Sequence, residues 1–191
     1  MLPLAFKCEN KRILVLGAGD VAAQKIRVLR DAGAVIEVIT KDVLVAIPEG
    51  VTVQNRAYQE GDLNGYHLVI SAIGVPEIND LIVREARAAG IWLNVVDDPG
   101  RSDFYFTAVH REGDVMISVS SQGSAPAVAQ VVREVVVAAL PKGLALVAKE
   151  IRAERDALHE AGETSEGRAW KPRILELLDQ YSEDLSTTGA P

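Results

Sequence analysis

The chain has 191 residues, of which 48% are hydrophobic and 25% charged, and its formal net charge is −7. That length suits one or two globular domains with a real core, and the acidic balance argues against a broad nucleic-acid surface and against an anionic membrane face. Cys8 is the only cysteine, so a disulfide framework and a thiolate metal cluster are excluded. No apolar run reaches the length of a membrane span, and residues 1–7 are too short for a signal peptide. A cytoplasmic protein with no nucleic-acid or membrane partner is the expectation.

Residues 2–6, with Pro3 among them, read as a short edge segment leading into the first strand. The apolar run 13–16 reads as a buried parallel strand. It meets Gly17-Ala18-Gly19 and passes into a helix over 21–32, with Val21, Ala22, Ile26 and Leu29 on one face. Strand, glycine turn and helix in that order form a dinucleotide fingerprint. Gly17 permits the tight turn, and Gly19 lacks a Cβ, so a pyrophosphate can approach the backbone. Ala22 stands where a third glycine often stands and still allows close helix–sheet packing. The N–H groups of the first helical turn, with the helix dipole, would hold the phosphates. A plain strand–turn–helix with glycine at a steric pinch is the bland alternative.

Gly33 ends that helix, and 34–40 is the second strand. Thr40-Lys41-Asp42 sits at its carboxyl end, roughly 20 residues past the glycines, where the ribose hydroxyls should lie. Asp42 would accept from a ribose hydroxyl, which favours NAD; Lys41 beside it would attract a 2′-phosphate, so NADP stays open. Pro48-Glu49-Gly50 marks a turn, 51–54 a third strand, 62–65 a loop and 67–71 a fourth, buried strand. Pro76 suits the first turn of a helix with Ile78, Leu81, Ile82 and Ala86 on its apolar face. Gly90 ends it, and 91–96 is a fifth strand. Strands alternating with helices indicate an α/β fold, a Rossmann-type parallel sheet with right-handed crossovers.

After Asp97 the pattern changes. Residues 104–109 and 115–120 are strand-like and separated by 111–114, a hairpin signal. Pro126 opens a helix to about residue 140, which Pro141 and Gly143 break. Residues 144–161 are strongly helical. Ser165 is a candidate cap for a last helix carrying Trp170, Ile174, Leu177 and Leu178, and 186–191 reads as frayed. The expected division is an NAD-binding Rossmann domain over 1–110, a small dimerisation segment over 111–142 and a C-terminal helical region over 143–191. The part after the first domain is too thin to bury its own core well, and pairing with a second copy is the economical solution.

Three places are candidates for chemistry. Asn94-Val95-Val96-Asp97-Asp98-Pro99 ends the fifth strand, and in open parallel sheets ligands sit outside the carboxyl ends of strands. A carboxylate at Asp97 would lie near a nicotinamide ring and could take a proton or contact a metal ion; as Asp-Asp-Pro-Gly it is equally a plain turn. Ser118 to Pro126 is a small-residue loop before a helix, where hydroxyls and N–H groups could hold carboxylates or phosphate, or where Ser124 simply caps the helix. His110-Arg111 could help bind an acidic ligand, or could be a solvated hairpin tip. His67, His110 and His159 show no metal-ligand spacing, and no residue is assigned to a metal.

Taken together, Gly17-Ala18-Gly19-Asp20-Val21-Ala22, Asn94-Val95-Val96-Asp97 and Ser120-Ser121-Gln122-Gly123-Ser124-Ala125-Pro126 resemble, in order and spacing, the precorrin-2 dehydrogenase / sirohydrochlorin ferrochelatase family, the dehydrogenase module of siroheme synthases. The resemblance extends to about residue 140 and is looser in the helical tail; the downstream methyltransferase module of some relatives is not expected. The resemblance implies oxidation of precorrin-2 to sirohydrochlorin with NAD⁺ as cofactor, Fe²⁺ insertion in some members, and a homodimer interlocked through the region after the dinucleotide domain. By the same resemblance the essential aspartate falls on Asp97. The cofactor contacts fall on Gly17, Gly19, Asp20, Val21, Lys41 and Asp42, and a serine lining the tetrapyrrole site falls on Ser121, with Ser124 in the same loop. Two departures stand out. Ala72-Ile73-Gly74-Val75-Pro76 replaces the usual Ala-Thr followed by Asp or Asn, so a threonine hydroxyl is lost near the cofactor. Thr107 stands where relatives commonly have proline.

The leading reading is therefore an enzyme. A tetrapyrrole carries many carboxylates while this protein is acidic. Arg101, His110 and Arg111 are the basic residues nearest Asp97 in sequence, and are nominated as substrate partners. The alternative is a dinucleotide-sensing or tetrapyrrole-binding module without chemistry, which needs the glycine loop but not Asp97.

Overall fold

The structure, a computed structural model, describes residues 1–187, and side chains through residue 183. Contacts divide it into two compact units, one ending at Tyr105 and the other starting at Phe106. In the first, strands β1 (Arg12–Leu16), β2 (Val35–Thr40), β3 (Thr52–Asn55), β4 (Leu68–Ser71) and β5 (Trp92–Val95) form one sheet in the order β3-β2-β1-β4-β5. Every pairing is parallel. Ile13, Leu14, Val15 and Leu16 are completely buried, as a parallel strand covered on both faces demands. Leu14 and Leu16 pack with Ile39, Val69, Leu93 and Val95 and with the inner face of helix α2 (Pro76–Ala89), namely Ile82, Val83 and Ala86. Ile13 and Val15 lie on the opposite pleat. Helix α1 (Asp20–Asp31) buries Ala22, Ala23, Ile26 and Leu29.

The helix boundaries follow local chemistry. Pro76 occupies the first turn of α2, and Gly90 ends it with φ of 65°, a left-handed cap that glycine adopts without a Cβ penalty. Residues 2–6 form no strand; Phe6 instead packs its ring against Trp92, centroids 5.8 Å apart, so the apolar pattern there serves a side-chain contact and not a ladder.

A polar brace closes the β3 side. The Arg56 guanidinium donates to both oxygens of Asp62 at 2.7 Å, and the Gln59 N–H adds a third bond to that carboxylate. The arginine bond holds the Asp62 carboxyl below the usual aspartate range, against the opposing effect of burial. A depressed folded pKa gives stability that is present above the unfolded value and lost as pH falls through the folded one. Thermal melts at descending pH should therefore show an acid limb below the ordinary aspartate range, and Asp62→Asn should flatten it. Tyr66 acts on the other side. Burial and its hydrogen bond to Glu37 push it up to about 12, so its contribution is full below the unfolded tyrosine value and fades as pH rises toward 12.

The second unit holds the antiparallel hairpin β6 (Ala108–Glu112) and β7 (Val115–Val119), with helices α3 (Pro126–Ala138), α4 (Leu144–Glu160) and α5 (Trp170–Thr187). The hairpin loop is two residues, Gly113-Asp114, with Gly113 at φ of 58°, the first central position where tight hairpin turns need positive φ. A Cβ on Gly113 would also stand 2.9 Å from that of Ala145. The predicted strand over 104–109 is correspondingly shortened: residues 104–107 lie outside the ladder, and His110 and Arg111 belong to it, opposite Ile117 and Met116. Ser165 is not the cap of α5, which starts at Trp170. Its hydroxyl meets His159 Nε2 at 3.2 Å and its carbonyl accepts from Trp170 Nε1 at 3.3 Å. Arg173 binds Glu150 and Glu154, tying α5 to α4, and also pairs with Glu176 on its own helix. Of the frayed end expected over 186–191, residues 188–191 lie outside the described residues. No helix among the described residues is long and apolar enough to cross a membrane.

Candidate functional site: a dinucleotide cradle at the carboxyl edge of the sheet

The chain leaves β1 toward β2 on one side, whereas β4 lies on the other side of β1. At such a switch point a crevice opens beyond the carboxyl ends of the strands. Gly17 turns the chain there with φ of 101°, donates its N–H to Ile39 O at 2.9 Å, and would place a Cβ 2.9 Å from Ala72 O. Any side chain would strain the turn and collide with the backbone after β4, so Gly17 is fixed by the fold. Gly19 is different. It caps α1 in an extended conformation, and a Cβ built on it meets nothing within 4 Å. No side chain caps the α1 N-terminus. Open space in front of an uncapped helix start, with N–H groups and the positive end of the dipole facing it, fits a dinucleotide pyrophosphate. Asp20 and Val21 are exposed in the first turn, while Ala22 is fully buried at the helix–sheet contact.

The altered wall after β4 is firmly held. The Ser71 hydroxyl donates to Asn79 Oδ1 at 2.7 Å, and Asn79 Nδ2 donates to Ile73 O at 2.8 Å. Both side chains are buried. Asn79, on α2, thus anchors residues 72–75 where a threonine hydroxyl is missing.

Lys41 and Asp42 follow β2 and are exposed. Asp97 follows β5 in a turn, with φ of 59°, a left-handed conformation that aspartate and asparagine tolerate better than most residues. Ser102 and Asp103 hold that turn: Asp103 Oδ2 accepts from Leu93 N–H at 2.9 Å, and the Ser102 hydroxyl accepts from Val95 N–H at 3.0 Å. The Asp97 carboxylate is exposed and makes no hydrogen bond or salt bridge among the described residues. Its electrostatic neighbour is Lys25 on α1, whose ammonium is pulled down by burial and drawn back up by Asp97. Asp98, by contrast, is fully used. It accepts from Arg101 N–H at 3.2 Å and from the Arg101 guanidinium at 3.1 Å.

Arg101 is engaged as well, with a second ion pair to Asp80 at 2.6 Å. It belongs to the first unit, whereas His110, Arg111, Ser121 and Ser124 belong to the second. His110 lines a hollow of about 430 Å³ with Glu112, Lys142 and Gly143, whereas Arg111 is exposed on the other face of β6. In the loop before α3, Ser121 Oγ accepts from Ala125 N–H at 3.1 Å, and the Ser124 hydroxyl donates to Ser121 O at 2.6 Å. Ser124 therefore does not cap α3; the helix-side N–H is met by Ser121. Gln122 and Gly123 are both left-handed, with φ of 56° and 80°. Among the described residues no group of three or more His, Cys, Asp or Glu side chains is arranged to hold a metal ion. Lys25, Asn55, Asn79 and the Ser102–Asp103 pair went unread in the sequence, because each acts across elements and leaves no local pattern.

The sheet order, the pinched Gly17 and the open Gly19 define a doubly wound dinucleotide-binding fold. Residues 4–108 match the model of the family described as "Putative NAD(P)-binding", and the chain belongs to that family. It is 35% identical over 193 aligned residues to a siroheme synthase of Tolumonas auensis, covering 96% of this chain and 41% of that protein. It is 39% identical over 145 residues to a siroheme synthase of Pseudomonas putida, covering 73% and 31% respectively. The chain thus spans less than half the length of these curated relatives. Among solved structures it resembles SirC, a precorrin-2 dehydrogenase, with a TM-score of 0.68 over 97% of this chain and 94% of that one. At 18% identity that likeness shows the fold.

Proposed function

We propose that this protein is an NAD-dependent dehydrogenase that oxidises precorrin-2 to sirohydrochlorin in siroheme biosynthesis. One observation carries the reading: the sheet edge that bears the open Gly19 cradle also bears an exposed carboxylate, Asp97, that makes no hydrogen bond or salt bridge among the described residues. The names of the relatives support the substrate class. When bound, NAD⁺ supplies the hydride acceptor. The chain's own residues do the rest. Gly17, Gly19, Asp20 and Val21 form the phosphate cradle, Lys41 and Asp42 face the ribose end, and the exposed Asp42 carboxylate favours NAD over a 2′-phosphate. Asp97 takes or positions the proton that leaves with the hydride, so the two hydrogens lost by the substrate appear as one hydride and one proton. Lys25 on α1 sets a positive charge beside that carboxylate.

Ser121 keeps its hydroxyl hydrogen for a substrate oxygen, and Ser124 shapes the same loop. Arg111 offers positive charge and His110 a ring N–H to the substrate carboxylates. Arg101, held by Asp80 and Asp98, fits a brace for the Asp97 turn better than a free substrate contact. Fe²⁺ insertion, with the metal as substrate, is the further step of this reading, and Asp97 would assist the pyrrole deprotonation it requires. A cytoplasmic location accords with that chemistry. The test is precorrin-2 generated in place, with NAD⁺, followed by sirohydrochlorin absorbance with and without Fe²⁺. Appearance of sirohydrochlorin only with NAD⁺ supports the dehydrogenase. Binding of dinucleotide without turnover would instead favour a sensing or tetrapyrrole-binding module.

The same reading includes a homodimer. Among the described residues of the second unit, the buried apolar side chains are Ala129, Val147 and Leu177, while Val128, Val131, Val132, Val135 and Val136 of α3 are exposed, Val135 by 65%. Residues 128, 131, 132 and 135 form one helical stripe, and a valine stripe in water is costly unless covered. A second copy is the expected cover. Val135→Glu should shift sedimentation from dimer to monomer at micromolar concentration; a wild-type chain that sediments as a monomer would overturn this part.

A further inference from the structure

We infer that Thr40 and Asn55 are positioning residues for the dinucleotide: together they fix the backbone of the Lys41–Asp42 corner, which Leu44 ties to the glycine loop, and thereby set both affinity and the preference between NAD and NADP. The inference rests on the dinucleotide reading of the Gly17–Gly19 cradle and extends it.

The corner after β2 has no regular secondary structure, and Lys41, Asp42, Val43 and Leu44 are all exposed. Such a segment should wander unless it is tied. It is tied at three points. Thr40, itself buried, donates its hydroxyl to Asp42 O at 2.7 Å. Asn55 is the register partner of Thr40 on β3, and with its carboxamide oriented so that the nitrogen meets the acceptors around it, that nitrogen donates to Thr40 O at 3.2 Å and to Lys41 O at 2.5 Å. Leu44 N–H donates to Ala18 O at 3.2 Å, inside the glycine turn. The ties all engage backbone atoms, so neither charged side chain of the corner is consumed by them. The Asp42 carboxylate makes no hydrogen bond or ion pair among the described residues.

The consequence is selective. Two neighbouring side chains of opposite charge discriminate between a ribose hydroxyl and a 2′-phosphate only if each keeps its place. A corner free to rotate would let Lys41 and Asp42 exchange positions, and discrimination would fall along with affinity.

The test measures Kd for NADH and NADPH by calorimetry on Thr40→Val, Thr40→Ser and Asn55→Ala, with wild type and Gly19→Val alongside and folding checked by thermal melts. Thr40→Val keeps shape and β-branching but removes the donor, and Thr40→Ser keeps the donor. The expected result is a Kd for NADH raised about fivefold or more in Thr40→Val and Asn55→Ala, the range of one lost hydrogen bond, a narrowed NADPH/NADH ratio in both, and restoration in Thr40→Ser. Should Thr40→Val fold poorly, the exposed Asn55 gives the same answer alone. Unchanged affinity and ratio in Asn55→Ala would overturn the inference while leaving the cradle reading intact, provided wild type binds and Gly19→Val does not. Failure of wild type to bind either dinucleotide would overturn both.

Discussion

Asp97→Asn is expected to remove sirohydrochlorin formation while leaving the fold and dinucleotide binding in place. The expected loss is about 10²–10⁴ in rate, the usual worth of one general acid–base group. Asparagine is the right substitution for a structural reason. Asp97 sits at φ of 59°, where asparagine is tolerated about as well as aspartate and other side chains are more strained. The turn itself is held by Ser102, Asp103 and Asp98 and not by the Asp97 side chain. A stability change should therefore be small, and a lost rate is attributable to the missing proton acceptor. Asp98→Asn is the control. It is set apart because Arg101 already occupies its carboxylate. That variant should keep most of the activity. Wild-type turnover by Asp97→Asn would remove the acid–base role from this residue.

Gly19→Val should abolish dinucleotide binding in a protein that still folds. A Cβ at Gly19 meets nothing of the protein within 4 Å, so valine fits the chain and intrudes only on what approaches the α1 N-terminus. Losing one or two charge-assisted bonds from backbone N–H to phosphate would raise Kd about 100-fold. Gly17 cannot serve for this experiment. Its φ of 101° and the 2.9 Å approach to Ala72 O mean that a side chain there would damage the sheet edge itself. Fluorescence titration with NADH on the folded Gly19→Val variant checks the expectation, and undiminished affinity would contradict the cradle.

The two glycines also show how far the sequence could be read. An apolar run, a glycine turn and a helical face are local features, so β1, α1 and the switch to β2 were legible, as were Pro76 and Gly90 at the ends of α2. Residues 104–107 were misread because aromatic, alternating residues have high strand propensity. In the structure Phe104 O accepts from Asn94 and the Tyr105 hydroxyl donates to Pro99 O, so tertiary contacts take those residues out of the ladder. Residues 2–6 failed similarly, since Phe6 finds Trp92 and not a strand partner. At the candidate site, Asp97, Lys41 and Asp42 could be named from their place after strands. Lys25, Asn55 and Asn79 could not, because their roles depend on which strand ends and helices meet in space. Arg101 was named for its charge and its nearness to Asp97 in sequence, and neither feature reveals that Asp80 and Asp98 already hold it.

The most direct measurement follows both products in one sample: NADH and sirohydrochlorin formed from precorrin-2 and NAD⁺ by the purified chain. The account predicts that the two rise together in a one-to-one ratio, that both need the protein, and that both disappear in Asp97→Asn. Sirohydrochlorin rising no faster than in the protein-free control, with NAD(H) bound but never reduced, would contradict it.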